Sequence, residues 1–309
     1  MKKCVVIYNP NSGKQSNDKI INSFPNIFKK YDYECEIIKT EYSGHAKKII
    51  EDIDYADLVV SIGGDGTFNE VVTGNMSRKE RLLLAHLPVG TTNDIGAMYG
   101  YGKNLKENLI MTLEGVVKEI DICLVNGHPF VYTAGFGKFM NIPYETPREM
   151  KKRIGYLAYL REGIKDLKHK THLYDITYEI DGEKYRGLFS LLIITNANRI
   201  AGINNIYKDI KLDDDRFEVL FCNIRKKKDL LKSLYFFTLY DASKVPGFYF
   251  YKTNNLKIKF NGKQRKPWCI DGEELEDMPS TYKIEIESGI KVLMPKKNID
   301  TLFINKKNK

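Results

Sequence analysis

The sequence has little of what staples or anchors a chain. Its five cysteines, Cys4, Cys35, Cys123, Cys222 and Cys269, are odd in number, far apart and free of any C-x-x-C pair, which argues against both a disulfide framework and a structural zinc site. Five histidines supply one close pair, His169 and His172, inside the polar run Lys168-His169-Lys170-Thr171-His172; this reads as a solvated turn. The longest apolar runs, such as Leu188 to Thr195, fall far short of the ~18 residues a membrane-spanning helix needs. The stretch Cys4-Val5-Val6-Ile7-Tyr8 behind Met1-Lys2-Lys3 is too short for a signal-peptide core. It reads as a first strand, and the protein is expected in the cytoplasm. Neither the G-x-x-x-x-G-K-[ST] pattern nor the dinucleotide G-x-G-x-x-G spacing occurs.

What is present is sufficient for a substantial core. The chain has 309 residues, 42% of them hydrophobic, a size that calls for one large or two medium domains. Its 49 Lys and Arg against 40 Asp and Glu give a formal charge of +9. Such a surface favours phosphate-bearing partners: nucleotides, nucleic acids or anionic membranes.

Over the first hundred or so residues, short β-rich runs alternate with longer helical patterns. Strands are expected over Lys3–Tyr8, Glu34–Lys39, Leu58–Ile62 and Leu82–Leu87. Helices are expected over Asp18–Tyr31, Gly44–Ile53 and Thr67–Asn75, the last starting on a threonine cap. Strict succession of strand and helix means a parallel sheet with right-handed crossovers, and so a doubly wound α/β domain. From about Glu119 the texture changes. β-like runs cover Ile120–Val125, Pro129–Ala134, Leu173–Ile180, Tyr185–Thr195, Phe217–Asn223, Leu256–Phe260 and Tyr282–Glu287, with strong helical patterns only over Glu149–Leu167 and Asp229–Tyr240. An antiparallel second domain is the simplest account. The expected division is 1–125 for the α/β domain and 126–290 for the β-rich one, with 291–309 a candidate to return to the first. The Lys/Asn-rich tail Asn305–Lys309 is expected to fray.

Three loops fall at the carboxyl ends of the first domain's strands, where ligands of such sheets sit. Leu58–Ile62 leads into Gly63-Gly64-Asp65-Gly66-Thr67-Phe68-Asn69-Glu70-Val71-Val72: a buried strand, a three-glycine turn and the start of a helix. Glycines let main chain approach a ligand closely, and their N–H groups with a helix N-terminus form a phosphate cradle. A carboxylate at its centre makes sense if Asp65 touches a metal-bound nucleotide or accepts a proton; the plain alternative is a tight turn with a surface aspartate. Asn9-Pro10-Asn11-Ser12-Gly13-Lys14 and Pro88-Val89-Gly90-Thr91-Thr92-Asn93-Asp94 are each ordinary turns alone. All three converging on one crevice, with Lys14 to balance charge, predict a nucleotide site.

Together these residues resemble the bacterial diacylglycerol kinase family of soluble lipid kinases, related to sphingosine and ceramide kinases. The resemblance rests on Tyr8 to Lys14, Gly63 to Val72, Pro88 to Asp94, Tyr144-Glu145-Thr146-Pro147, Lys211-Leu212-Asp213-Asp214 and Ile270-Asp271-Gly272-Glu273, in that order along almost the whole chain. It implies ATP bound by Asn9, Pro10, Asn11, Ser12, Gly13, Thr40, Gly63, Gly64, Asp65, Gly66, Thr67, Phe68, Asn69 and Thr91. It also implies an α/β domain beside a β-sandwich domain, with the active site in the cleft between them. Glu273 is then the base that takes the proton from the lipid hydroxyl, while Asp65 works with ATP and Mg2+, and Asp94 and Asp121 fall on acidic positions nearby. From spacing alone, Asp271-Gly272-Glu273 reads equally well as an acidic turn. The resemblance further implies a structural Mg2+ at Lys211, Asp214 and Arg216, held partly through main-chain carbonyls. Two departures stand out: Asp215 replaces the usual glycine, a position aspartate tolerates better than most residues, and Arg161-Glu162 stands where relatives carry a lysine.

The implied reaction is transfer of the γ-phosphoryl group of ATP to diacylglycerol, giving phosphatidic acid. A kinase for another lipid (a sphingoid base, phosphatidylglycerol or a polyprenol) and a nucleotide-binding regulator without turnover are the alternatives. Nucleic acid is disfavoured by the acidic candidates Asp65, Asp271 and Glu273. Such an enzyme docks transiently on anionic membrane. Arg225–Leu231 leading to Tyr235-Phe236-Phe237 combines charge and aromatic anchors for that purpose, and reads equally as a solvated helix start with a buried aromatic face. Relatives suggest a homodimer.

Overall fold

The computed structural model describes residues 1–13, 17–147, 150, 161–163, 165–166, 169–200, 203–204, 207, 209–226, 228–229 and 245–304. Lys14, the Asn305–Lys309 tail, and most of the Glu149–Leu167 and Asp229–Tyr240 helices and of the Arg225–Phe237 segment lie outside these residues. The chain forms two compact units, Met1–Asp121 with Ser288–Lys309, and Ile122–Glu287.

In the first unit, β1 (Lys2–Tyr8), β2 (Tyr33–Lys39), β3 (Leu58–Gly63) and β4 (Leu84–Pro88) pair in parallel in the order β2-β1-β3-β4. Val292 then pairs in parallel with Leu84 of β4, so a C-terminal segment completes this sheet. The strands are rich in β-branched residues, and β3 is buried along its length, as expected of a sheet covered on both faces. Helices α1 (Asn17–Ile21), α2 (Phe24–Lys29), α3 (His45–Asp52), α4 (Asp65–Met76), α5 (Asp94–Met98) and α6 (Leu105–Leu113) supply the covers. Ile21, Phe24, Phe28, Leu105 and Leu109 share one core with Val6, Tyr8, Val60 and Ile62. On the opposite sheet face, Phe68 of α4 stacks on His86 of β4 with ring centroids 4.8 Å apart. Strand order reverses between β1 and β3, which makes the loops after these two strands the switch point of the sheet.

Two expected helices begin elsewhere. Asp18–Tyr31 is broken into α1 and α2 around Asn22 and Ser23, because Pro25 has no N–H with which to continue α1 onto Ile21 O, whereas in the first turn of α2 the missing N–H costs nothing. Helix α4 starts at Asp65 rather than on a Thr67 cap. Its N-cap is Gly64, and Thr67 lies inside the first turn, its Oγ1 accepting a hydrogen bond from Asn9 Nδ2 at 3.1 Å.

The second unit is antiparallel. Strands β5 (Val116–Val125), which enters it from the first unit, β6 (His128–Phe130), β7 (Thr133–Gly137), β8 (Tyr174–Ile180), β9 (Glu183–Phe189), β10 (Leu191–Thr195), β11 (Arg199–Ile200), β12 (Ile203–Asn204), β13 (Phe217–Cys222), β14 (Phe248–Thr253), β15 (Asn255–Phe260), β16 (Trp268–Ile270), β17 (Glu273–Leu275) and β18 (Thr281–Met294) follow. One sheet runs β14-β13-β10-β7-β16-β17; β9, β8, β15 and the first half of β18 pair antiparallel in a second. Alternate residues of both, among them Phe136, Leu192, Val219 and Trp268 with Ile176, Tyr178, Ile258 and Tyr282, fill one core, which is the packing of a β-sandwich. The run Tyr185–Thr195 is two strands because the chain changes sheets at Ser190, whose N–H and hydroxyl both donate to Cys222 O, at 2.7 and 3.1 Å.

Candidate active site

The loops after β1, β3 and β4 meet by main-chain contact. Asn9 N–H donates to Ile62 O at 2.9 Å, Val89 N–H to Gly63 O at 2.8 Å, and Thr40 N–H, after β2, to Tyr8 O at 2.8 Å. Asn9 organises its own loop, its Oδ1 accepting from Asn11 N at 3.0 Å and its carbonyl from Ser12 N at 3.1 Å. Gly13 takes φ +77°, and a Cβ there would stand 2.3 Å from Val89 O; a Cβ on Gly90 would stand 2.7 Å from Gly64 Cα. Both positions admit only glycine, because the main chains of these loops pack directly against one another there. The loops so packed border the first turn of α4, the kind of helix end that receives anionic groups.

Asp65 is 8% exposed, so it is no surface residue. Its carboxylate accepts from Asp94 N at 3.0 Å and Ile95 N at 3.2 Å, the first turn of α5. Asp94 itself is buried, as is Asp121 of β5. Asn93 holds the left-handed φ of +51° that aims α5 into place and donates from Nδ2 to Gly90 O at 2.8 Å. Thr40 and Thr67 are buried, Asn9, Ser12, Gly64, Gly66 and Asn69 half-buried, and Pro10, Asn11, Gly13 and Thr91 exposed. The Phe68 side chain is wholly inside the core, so only its main chain can face a ligand. The structure therefore brings together the expected nucleotide residues of the first unit.

Two residues of this corner escape a reading of motifs. Glu70 accepts from Gly44 N at 2.8 Å through one oxygen and from Ala46 N at 3.1 Å through the other, tying α4 to the start of α3. A glutamate one turn into the helix, facing the donor-rich segment Ser43-Gly44-His45-Ala46, was the available signal. His86 pairs through Nδ1 with Ser61 Oγ at 2.8 Å, and complete burial pushes its pKa down to about 3.

In the second unit, Asp271 and Gly272 both take positive φ, +47° and +88°, and form the two-residue turn between β16 and β17. The two carboxylates at this turn differ sharply. Asp271 is buried and accepts from three consecutive amides, Val131 N at 2.6 Å, Tyr132 N at 3.0 Å and Thr133 N at 2.9 Å. Glu273 is exposed. Asp271 is thus a structural clamp, and Glu273 is the carboxylate presented to solvent.

The residues implied for a second metal site, Lys211, Asp214 and Arg216, lie in the loop before β13. Asp215 adopts φ +54°, so the aspartate does occupy a glycine-like conformation. Asp214, however, is already charge-paired. Its Oδ2 lies 2.7 Å from Lys252 Nζ, and its Oδ1 accepts from Arg216 N at 3.1 Å. Lys252 Nζ also lies 3.1 Å from Glu218 Oε1. Lys211 and Arg216 could contribute only main-chain carbonyls, and among the described residues no group of three or more His, Cys, Asp or Glu side chains gathers around Asp214. The cation serving the Asp214 carboxylate is an ammonium group. Burial pushes the Glu218 pKa up to about 7 against the opposing pull of Lys252.

A parallel α/β unit whose glycine loops meet at the switch point around an acidic side chain has the arrangement in which such sheets place their ligand sites. Residues 3–125 match the family model described as diacylglycerol kinase catalytic domain. The chain is 29% identical over 306 residues to the diacylglycerol kinase of Bacillus subtilis strain 168, covering 98% of this chain and 99% of that one. It is 28% identical over 302 residues to that of Staphylococcus carnosus strain TM300, covering 96% of each. The fold is that of a putative diacylglycerol kinase from Bacillus anthracis str. Sterne, with a TM-score of 0.79 at 22% identity, covering 96% of this chain and 97% of that one. Residues 3–125 are thus similar to diacylglycerol kinase catalytic domains, and the chain over nearly its whole length to bacterial diacylglycerol kinases.

Proposed function

We propose that the protein is an ATP-dependent lipid kinase that phosphorylates diacylglycerol to phosphatidic acid. The observation that carries this reading is the close main-chain packing of the glycine loops at Gly13, Gly64 and Gly90, with Asp65 fixed beside it, in a chain whose residues 3–125 match the diacylglycerol kinase catalytic domain. ATP with Mg2+ supplies the transferable phosphoryl group and neutralises its charge. Asn9 to Gly13, Thr40, Gly63 to Asn69 and Thr91 bind and orient the nucleotide, Asp65 being the carboxylate on its metal side. Glu273 accepts the proton of the lipid hydroxyl as its oxygen bonds to the γ-phosphorus and the bond to the ADP oxygen breaks. Asp94 and Asp121 add negative charge on the nucleotide's side.

The lipid is met at the surface of an anionic membrane, from the cytoplasm and as a homodimer. The +9 charge supports the membrane contact. Among the described residues no helix is long and apolar enough to cross a membrane. The test is transfer of labelled phosphate from ATP to diacylglycerol in mixed micelles with Mg2+. Phosphatidic acid is expected from the wild type and not from Glu273→Gln. ATP binding without any phosphatidic acid would overturn the assignment of the acceptor.

A further inference from the structure

We propose that Tyr42, held flat by His45, is the platform on which the nucleotide base stacks. This rests on the ATP site proposed above and adds to it a residue outside the glycine loops. The first unit has two markedly exposed aromatic side chains among its described residues, Tyr42 at 55% and Tyr55 at 59%. Tyr55 precedes β3, at the amino end of the strands, and its hydroxyl is bonded to Asp57. Tyr42 follows β2, at the carboxyl end, three residues after Lys39 and two after Thr40.

An exposed tyrosine normally keeps its rotamer freedom, and fixing it costs entropy. Tyr42 is fixed nonetheless. Its ring stacks on His45 with centroids 4.5 Å apart and planes 6° from parallel. The imidazole is held in turn: its Nδ1 accepts from Glu41 N at 3.0 Å, and His45 N–H donates to Tyr42 O at 3.2 Å. The loop carrying both rings is fastened to α4 by Glu70, through Gly44 N and Ala46 N. Glu70 lies on the same helix whose first turn borders the glycine loops. The start of the loop is fastened to β1 through Thr40 N–H and Tyr8 O, at the point where the Asn9–Gly13 loop departs.

One face of the Tyr42 ring is therefore covered by an aromatic partner and the other is open. The ring stands at the ligand-binding edge, rigidly joined to both elements that border these loops. A purine is a flat π-surface joined to its phosphates through a ribose, and an open, pre-ordered aromatic face at that edge suits it. The ordering entropy has been met on folding, so little is lost on binding.

The test is calorimetric titration of the full chain with the non-hydrolysable ATP analogue AMP-PNP and Mg2+, and separately with inorganic tripolyphosphate. Tyr42→Ala is expected to weaken AMP-PNP binding about tenfold and to leave tripolyphosphate binding within about twofold. Tyr42→Phe, which keeps the π-face, is expected to bind AMP-PNP within about twofold of the wild type. Unchanged AMP-PNP affinity in Tyr42→Ala, or an equal loss with tripolyphosphate, would overturn the platform. A wild type that binds no AMP-PNP would remove the nucleotide site altogether. Nucleotide binding without lipid phosphorylation would sink the proposed reaction and leave the platform standing.

Discussion

Asp65 and Asp94 are joined by a main-chain hydrogen bond of 3.0 Å, the carboxylate of the first accepting the N–H of the second. The acidic residue at the centre of the glycine loop thereby sets the position of a second acidic residue on α5, and two loops far apart in sequence move as one.

Asp65→Asn is expected to lower phosphoryl transfer by about 100-fold or more. It also costs about 1–3 kcal/mol of stability, because the amide presents a donor to one of two N–H groups. Labelled-phosphate transfer and thermal unfolding on the same preparation check both. Wild-type turnover with lowered stability would reduce Asp65 to a brace between loops.

The two carboxylates of the Asp271–Glu273 turn are expected to separate cleanly on mutation. Glu273→Gln abolishes transfer with the melting temperature unchanged, since the side chain is exposed. Asp271→Asn costs about 3 kcal/mol, because three buried N–H groups share the lost charge. Equal melting temperatures for the two variants would show that the clamp carries no stability.

Gly90→Ala drives a methyl into Gly64 main chain at 2.7 Å, so the two loops must part. A rise in the KM for ATP of about tenfold or more is expected. Gly262→Ala, with nothing within 4 Å, serves as the control and leaves KM unchanged. Similar KM values for both variants would remove the Gly64–Gly90 contact from the nucleotide site.

His86 makes stability depend on pH. Its folded pKa of about 3 lies below the ordinary 6.5, so the unfolded chain takes up a proton that the folded chain refuses. The contribution is complete above about pH 6.5 and is lost as pH falls toward 3. The slope reaches about 1.4 kcal/mol per pH unit. His86→Gln keeps an acceptor for Ser61 and should flatten the stability curve between pH 6.5 and 4. Denaturant titrations across that range decide it, and identical slopes would show that His86 takes up its proton in the folded state as readily as in the unfolded one.

Lys252→Met leaves Glu218 and Asp214 without their shared ammonium group and is expected to cost about 3 kcal/mol at neutral pH, read by chemical denaturation. A cost near zero would mean that the pair is solvated rather than buried.

Much of the α/β half was legible because strand and helix periods alternate there and the glycine loops fall at strand ends. The break at Pro25 was legible too, since a proline inside an apolar helical period has no N–H with which to continue the preceding turn. The roles of Asp271 and Lys252 were not. Spacing gave Asp271 and Glu273 equal standing, and only the approach of Val131–Thr133 separates them. Lys252 meets Glu218 because the two are register partners on β13 and β14, a relation created by strand pairing between segments that are distant in sequence. Phe68 sits inside a binding motif yet faces the core, since a helix must bury a stripe whatever its first turn binds.

The Asp271 clamp also bears on when the protein completes its fold. Its three hydrogen bonds span 138 to 140 residues of chain, contacts of the kind that form late and slowly. During synthesis the turn that carries Glu273 has no anchor until its strand has emerged and docked on Val131–Thr133, and the first unit likewise waits for Val292 to complete its sheet. Both units are therefore closed by chain made late, so neither is complete until nearly the whole sequence has emerged.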